Sequence, residues 1–124
     1  MDGNTPHLMA GEIQGLIREG KIPLKGASAL ARFPGAEQAF LAATVLAKAH
    51  FTTNQLVLIS GWLFDLKKIS GEGVREILKS AEIQCVLQHP KMDLRTRGER
   101  LFALIRALRY PRLSAVDKNF KRLI

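Results

Sequence analysis

Ten of the 19 basic residues lie after Pro90, and their types and spacing define the chemistry this chain can do. Five of them, Arg95, Arg97, Arg100, Arg106 and Arg109, fall within fifteen consecutive positions. A guanidinium is planar, permanently charged and donates two parallel hydrogen bonds, which suits the oxygens of a phosphate. At 100° per residue Arg95, Arg106 and Arg109 share the helix face opposite the leucines, while Arg97 and Arg100 flank the leucine stripe. Arg112, Lys118, Lys121 and Arg122 extend the same patch. These nine residues are the predicted phosphate contacts. They position a polyanion without choosing a sequence.

The charge distribution sharpens that reading. Residues 1–90 hold nine Lys/Arg against eight Asp/Glu, whereas residues 91–124 hold ten against three, so seven of the eight net positive charges lie in the last third. Such asymmetry favours a polyanionic partner, with nucleic acid the first candidate. The bland alternative is a solvated surface, and a third reading is an acidic protein partner docking on the arginines.

Other chemistry is sparse. His7, His50 and His89 stand far apart without an acid or nucleophile at a telling spacing, and Ser60 and Ser70 have no triad context. The lone Cys85 has no metal-ligating company and is expected as a small buried hydrophobe. "TRGERL", residues 96–101, has one glycine and no preceding strand, so it reads as helix rather than as a phosphate loop. The expectation is a protein with no catalytic residue, metal or cofactor. Trp62 reads as core; Tyr110, just before a proline, stays open between packing and base stacking.

The elements that must carry these residues read as helices throughout. Ile13, Leu16 and Ile17 predict a first helix over about 10–19, stopped by Gly20. "GKIP" is then a tight turn, and a second helix runs from near Pro23 to before Pro34. Gly35 opens a third segment with Phe40, Leu41, Val45 and Leu46 inward. Thr52 and Gln55 have capping-box spacing. They start a fourth helix that reaches about Lys68 with Leu56, Ile59, Leu63 and Leu66 on one stripe. Val57, Leu58, Trp62 and Phe64 make it apolar nearly all round, as expected of a central helix. A fifth helix is expected from an N-cap at Ser70 to before Pro90. A sixth follows Asp93, with Leu94, Leu101, Leu104, Ile105 and Leu108 buried, and ends at Pro111. Ser114 and Asp117 resemble a further cap, for a seventh helix with Val116, Phe120 and Leu123 inward. The fold class is all-α, a compact bundle of about six or seven helices. Residues 1–11 are expected as a flexible segment and 12–124 as a single helical domain. No apolar run approaches the roughly 18 residues of a membrane span, and no signal-peptide layout opens the chain, so the protein reads as intracellular.

Three stretches together resemble a known family. "LIREGKIPLKGASALARFPGAEQAFLA", "FTTNQLVLISGWLFDLKK" and "RGERLFALIRALRYPRLSAVDKNFKRLI" are similar to the helical region that follows the helix-turn-helix in ParB-like partition and chromosome-segregation proteins. Gly20-Lys21-Ile22, Ala27, Ala29-Leu30 and Gln38 match the family's G-K-[IL] turn, its alanine-leucine helix and its downstream glutamine. Gly26 stands where the family often has histidine. "GER" at Gly98–Arg100 echoes the family's CTP motif in letters only, and no recognition helix is found, so neither a nucleotide site nor a base-reading residue is carried over. The resemblance implies part of a DNA-binding protein of bacterial partition or transcription regulation. It implies a cytoplasmic location at nucleoid or plasmid, a role supporting a helix-turn-helix, weak non-specific DNA contact, and a possible homo-oligomer. The competing class is a helical interaction or oligomerisation module with an acidic protein partner.

Overall fold

The structure, a computed structural model, describes residues 8–111, and these form an all-α bundle of seven helices. They are α1 (Gly11–Arg18), α2 (Leu24–Ser28), α3 (Gly35–Leu41), α4 (Thr53–Ser70), α5 (Val74–Ile77), α6 (Ala81–Leu87) and α7 (Leu94–Arg109). A 3₁₀ turn, Ala29–Arg32, continues α2, and a π turn, Ala42–Leu46, continues α3.

α1 ends where the sequence says it should. Gly20 has φ 73°, a conformation that costs a Cβ-bearing residue, and the amides of Gly20 and Lys21 return to the carbonyls of Ile17 and Leu16 at 3.0 and 2.9 Å. That paired closure turns the chain into α2. α2 lies so close on α4 that a Cβ at Gly26 would stand 2.9 Å from Leu56 Cδ2. The position at which the resembling family often has histidine has no room for a side chain here.

α4 is the axis of the bundle, in contact with α2, the 3₁₀ turn, α5 and α7. Its start is a complete capping box: the Gln55 amide donates to Thr52 Oγ1 at 3.1 Å, and the Thr52 amide donates to Gln55 Oε1 at 3.0 Å. Leu56, Ile59, Trp62 and Leu63 are buried as expected, whereas Phe64 and Leu66 are half-buried and Val57 and Leu58 are exposed. The core runs through the bundle from Ile13, Phe33 and Leu41 to Val74, Ile83, Leu101 and Ile105.

Two polar side chains fix the amino-terminal half. Gln38 is fully buried with both ends of its amide satisfied: Oε1 accepts from the Ala10 amide at 2.7 Å, and Nε2 donates to the Leu8 and Phe33 carbonyls at 3.0 and 2.8 Å. Residues 8–10, within the stretch expected to be flexible, are thereby held against α3. Glu37 joins three helices, pairing with Lys67 of α4 through one oxygen and accepting the Val74 amide of α5 at 2.9 Å through the other.

The region between α4 and Pro90 differs from expectation. α4 continues through Ser70, whose hydroxyl donates back to the Leu66 carbonyl at 2.8 Å, so Ser70 ends one helix instead of capping the next. Gly71 takes φ 74° and closes α4. The expected single fifth helix is two short ones, α5 and α6, the latter capped by Ser80 Oγ, which accepts from the Ile83 amide at 3.2 Å. The ladder breaks between Ile77 and Ala81, where the Lys79 amide turns to the Glu76 carbonyl at 3.2 Å instead of reaching back four residues. Cys85, on α6, is exposed and not buried.

Candidate polyanion-binding face

α7 carries all five predicted arginines that fall within the described residues. Asp93 starts it, with Oδ1 accepting from the Thr96 amide at 2.7 Å. The backbone and side-chain hydrogen bonds from Thr96, with Arg95 nearby, hold the Asp93 carboxyl below its ordinary value. Leu101 and Ile105 are buried against the bundle and Leu104 is half-buried, but Leu94 and Leu108, expected inside, are 52 % and 39 % exposed. Both share the azimuth of Leu101 but sit at the two ends of α7.

The amino-terminal end of α7 is locked to the segment linking the π turn to α4. A Cβ at Gly98 would stand 1.9 Å from the His50 carbonyl oxygen, so backbone meets backbone there. The His50 amide donates to the Leu94 carbonyl at 2.9 Å. Arg97 completes the lock: Nη1 donates to the Lys48 carbonyl at 2.8 Å, and Nη2 to the carbonyls of His89 and Met92 at 2.7 and 2.8 Å. Its fork is occupied by the protein's own backbone.

The other end is tied to α4. Arg109 Nε donates to Asp65 Oδ2 at 3.0 Å, and the guanidinium lies 4.8 Å from the Tyr110 ring centroid. Tyr110 meets Trp62 edge-on at 6.2 Å, and Phe102 packs on Trp62 at 5.0 Å. The ring of Tyr110 is thus engaged on Trp62, which itself is buried in the core.

The five arginines therefore divide. Arg97 and Arg109 hold α7 in place. Arg95, Arg100 and Arg106 are exposed and make neither an ion pair nor a hydrogen bond with a side chain among the described residues. Arg95 and Arg106 project along one face about 16 Å apart along the axis, with Arg100 to one side, and Glu99 is the acid among them. Arg112, Lys118, Lys121 and Arg122 lie outside the described residues, as do the expected Ser114 cap and seventh helix.

A second pair of cations, without an ion pair among the described residues, was not anticipated. Arg32 and Lys68, both exposed, sit 5.7 and 4.7 Å from the centroid of the Phe64 ring, and Phe64 packs edge-on against Phe33 at 6.0 Å. Lys68 follows Phe64 by one helical turn and was legible from spacing. Arg32 arrives from another element and was not.

Between α6 and α7 lies an open apolar groove of about 610 Å³, walled by Ala81, Cys85, Val86, Ala103 and Leu104, with Arg100 on its rim. It runs on into a smaller hollow of about 220 Å³ beside Ala107 and Leu108, sharing Glu82 and Leu104 with the first. Among the described residues no three His, Cys, Asp or Glu side chains gather as metal ligands, and no helix is long and apolar enough to cross a membrane. No family model, curated protein or solved structure matches the chain.

Proposed function

We propose that the outward face of α7 binds the phosphate backbone of duplex DNA without sequence preference. In this reading the protein is the helical part of a ParB-like DNA-binding protein, supporting a helix-turn-helix in plasmid or chromosome partition or in transcription regulation. The observation that carries the phosphate reading is the division of the arginines. Where the fold needs an arginine, at positions 97 and 109, carbonyls or a carboxylate occupy it; Arg95, Arg100 and Arg106 have no such side-chain partner among the described residues, which supports their availability to an external anion. The charge excess of the last third supports the same partner, and the sequence resemblance supplies the biological setting.

The test is fluorescence anisotropy with two unrelated duplexes over a salt series. The expected affinity is that of non-specific binding, on the order of 10⁻⁴ to 10⁻⁶ M at physiological salt. Replacing Arg95, Arg100 and Arg106 together by Ala should weaken both duplexes alike and flatten the plot of log affinity against log salt by about 2 to 3 units, near 0.9 per lost contact. Absence of binding at low salt, or a triple variant indistinguishable from wild type, refutes the reading. The arginines would then be a solvated face or a dock for an acidic protein.

A further inference from the structure

We propose that Arg32 and Lys68, gathered over the Phe64 ring beside Gly61, form a second phosphate-binding site on the flank of α4 that faces away from Trp62. Phe64 follows Trp62 by two residues, about 200° round the helix axis, so this site and the contact that α7 makes through Trp62 lie on different sides of α4.

Two positive groups are held together here without a counter-charge. Lys68 Nζ stands 4.7 Å and the Arg32 guanidinium carbon 5.7 Å from the centroid of one ring. The face of a phenyl ring attracts a cation, but it carries no net charge and leaves the two repelling one another. The acids of the neighbourhood are taken. Glu37 pairs with Lys67 through one oxygen and accepts the Val74 amide through the other, and Asp65 accepts from Arg109. Glu72 lies past the end of α4 at Gly71 and makes no ion pair among the described residues. Arg32 and Lys68 make none there either, and both are exposed, whereas Lys67, over the neighbouring Phe33 ring, is half-buried and paired. An anion seated between Arg32 and Lys68 relieves the repulsion that the fold builds in.

Gly61 supplies the opening. In the middle of a helix a glycine is less stable than alanine. Yet a Cβ at Gly61 would meet one atom within 4 Å outside its own stretch of helix, Arg32 Nη1 at 3.4 Å, so packing among the described residues does not demand the glycine. The missing side chain leaves the guanidinium edge beside bare helix, where its paired donors are open to anionic oxygens while the Lys68 ammonium approaches as a point charge. The oxygens of a tetrahedral phosphate point in different directions, so one meets the fork and another the ammonium; those of a carboxylate point one way. Two sources of the phosphate fit, the duplex backbone and a free phosphate monoester. Only the first rests on the DNA-binding reading.

Two titrations of the full-length protein test the site. With inorganic phosphate as the probe, the NMR signals of the amides of residues 31–33, 60–62 and 67–69 should shift saturably and further than with acetate at matched ionic strength, and Arg32→Ala combined with Lys68→Ala should abolish the difference. With duplex DNA followed by anisotropy, that double variant should flatten the salt slope by about 2 units, near 0.9 per lost contact, where the backbone is the source. Lys21→Ala combined with Lys79→Ala removes the same charge from cations paired with Glu19 and Glu76 and should leave the slope unchanged. Phosphate shifts with an unaltered slope assign the site to a free phosphate monoester. Phosphate shifts in a protein that binds no duplex refute the DNA reading and leave the site standing. The proposal is overturned when phosphate does no more than acetate at these amides, or as much in the double variant as in wild type, and the double variant changes duplex binding no more than the Lys21 and Lys79 control.

Discussion

Gly98 sits in the middle of a basic helical segment, where alanine would ordinarily stabilise the helix by up to about 1 kcal/mol. Here a Cβ would be driven to 1.9 Å from the His50 carbonyl oxygen, and backbone cannot step aside as a side-chain tip can. Gly98→Ala should therefore destabilise by about 1 to 3 kcal/mol in urea unfolding, reversing the sign that propensity alone predicts. Asp93 offers a pH-dependent counterpart. Its carboxylate is hydrogen-bonded to Thr96 in the folded chain, which lowers its native pKa. The stability it contributes is present above the ordinary Asp value and is lost as the pH falls through the lowered native one. Wild type should thus lose stability on acidification below about pH 4 relative to Asp93→Asn, measured as the difference between their unfolding midpoints. At this scale the sequence revealed caps and concealed contacts. Thr52 with Gln55 and Asp93 with Thr96 are local pairs three residues apart, readable from a string. Gly98 against His50, and Arg97 on three carbonyls, depend on segments brought together only by folding.

Among the elements, α4 shows why its stripe mattered more than its overall hydropathy. Leu63 is 2 % exposed, so Leu63→Ala should cost about 2 to 5 kcal/mol in chemical denaturation. Val57 and Leu58 are apolar but exposed, so truncating either to Ala should change stability by less than about 0.5 kcal/mol. Helix existence and type were legible because apolar spacing and punctuation by Gly20, Pro23, Pro34 and Asp93 agree with one another. The split of the fifth helix was less so: it falls between Ile77 and Ala81, where no glycine or proline stands and only the Ser80 cap marks a new start, while Ser70 resembles a cap and only the continuing ladder of α4 shows that it belongs to the preceding helix. The π turn left less trace still. The Ala47 amide bonds to the Ala42 carbonyl at 3.0 Å, and this wider turn places Leu41, Ala42, Val45 and Leu46 all inside. In a run of alanines no residue type marks where such a turn falls.

For the molecule as a whole, the basic patch read from charge alone was too broad. Charge counting treats every arginine alike, whereas two of the five on α7 are occupied in holding it, a distinction that needs the carbonyls of His89 and Met92, the Lys48 carbonyl and the Asp65 carboxylate in place. The single variant Arg109→Ala should therefore lower stability more than it lowers duplex affinity, and Arg106→Ala the reverse, a contrast read by pairing thermal melts with anisotropy. The way α7 is fastened has an optical consequence. Trp62 is the chain's one tryptophan, and it lies on α4 against Phe102 and Tyr110, side chains that both arrive with α7. Its emission should shift to the red and change in intensity when α7 comes away, even while α1 to α6 stay folded. The protein thus carries an intrinsic reporter of the helix that bears its outward arginines, and stopped-flow fluorescence without any added dye would time the docking of α7 on α4.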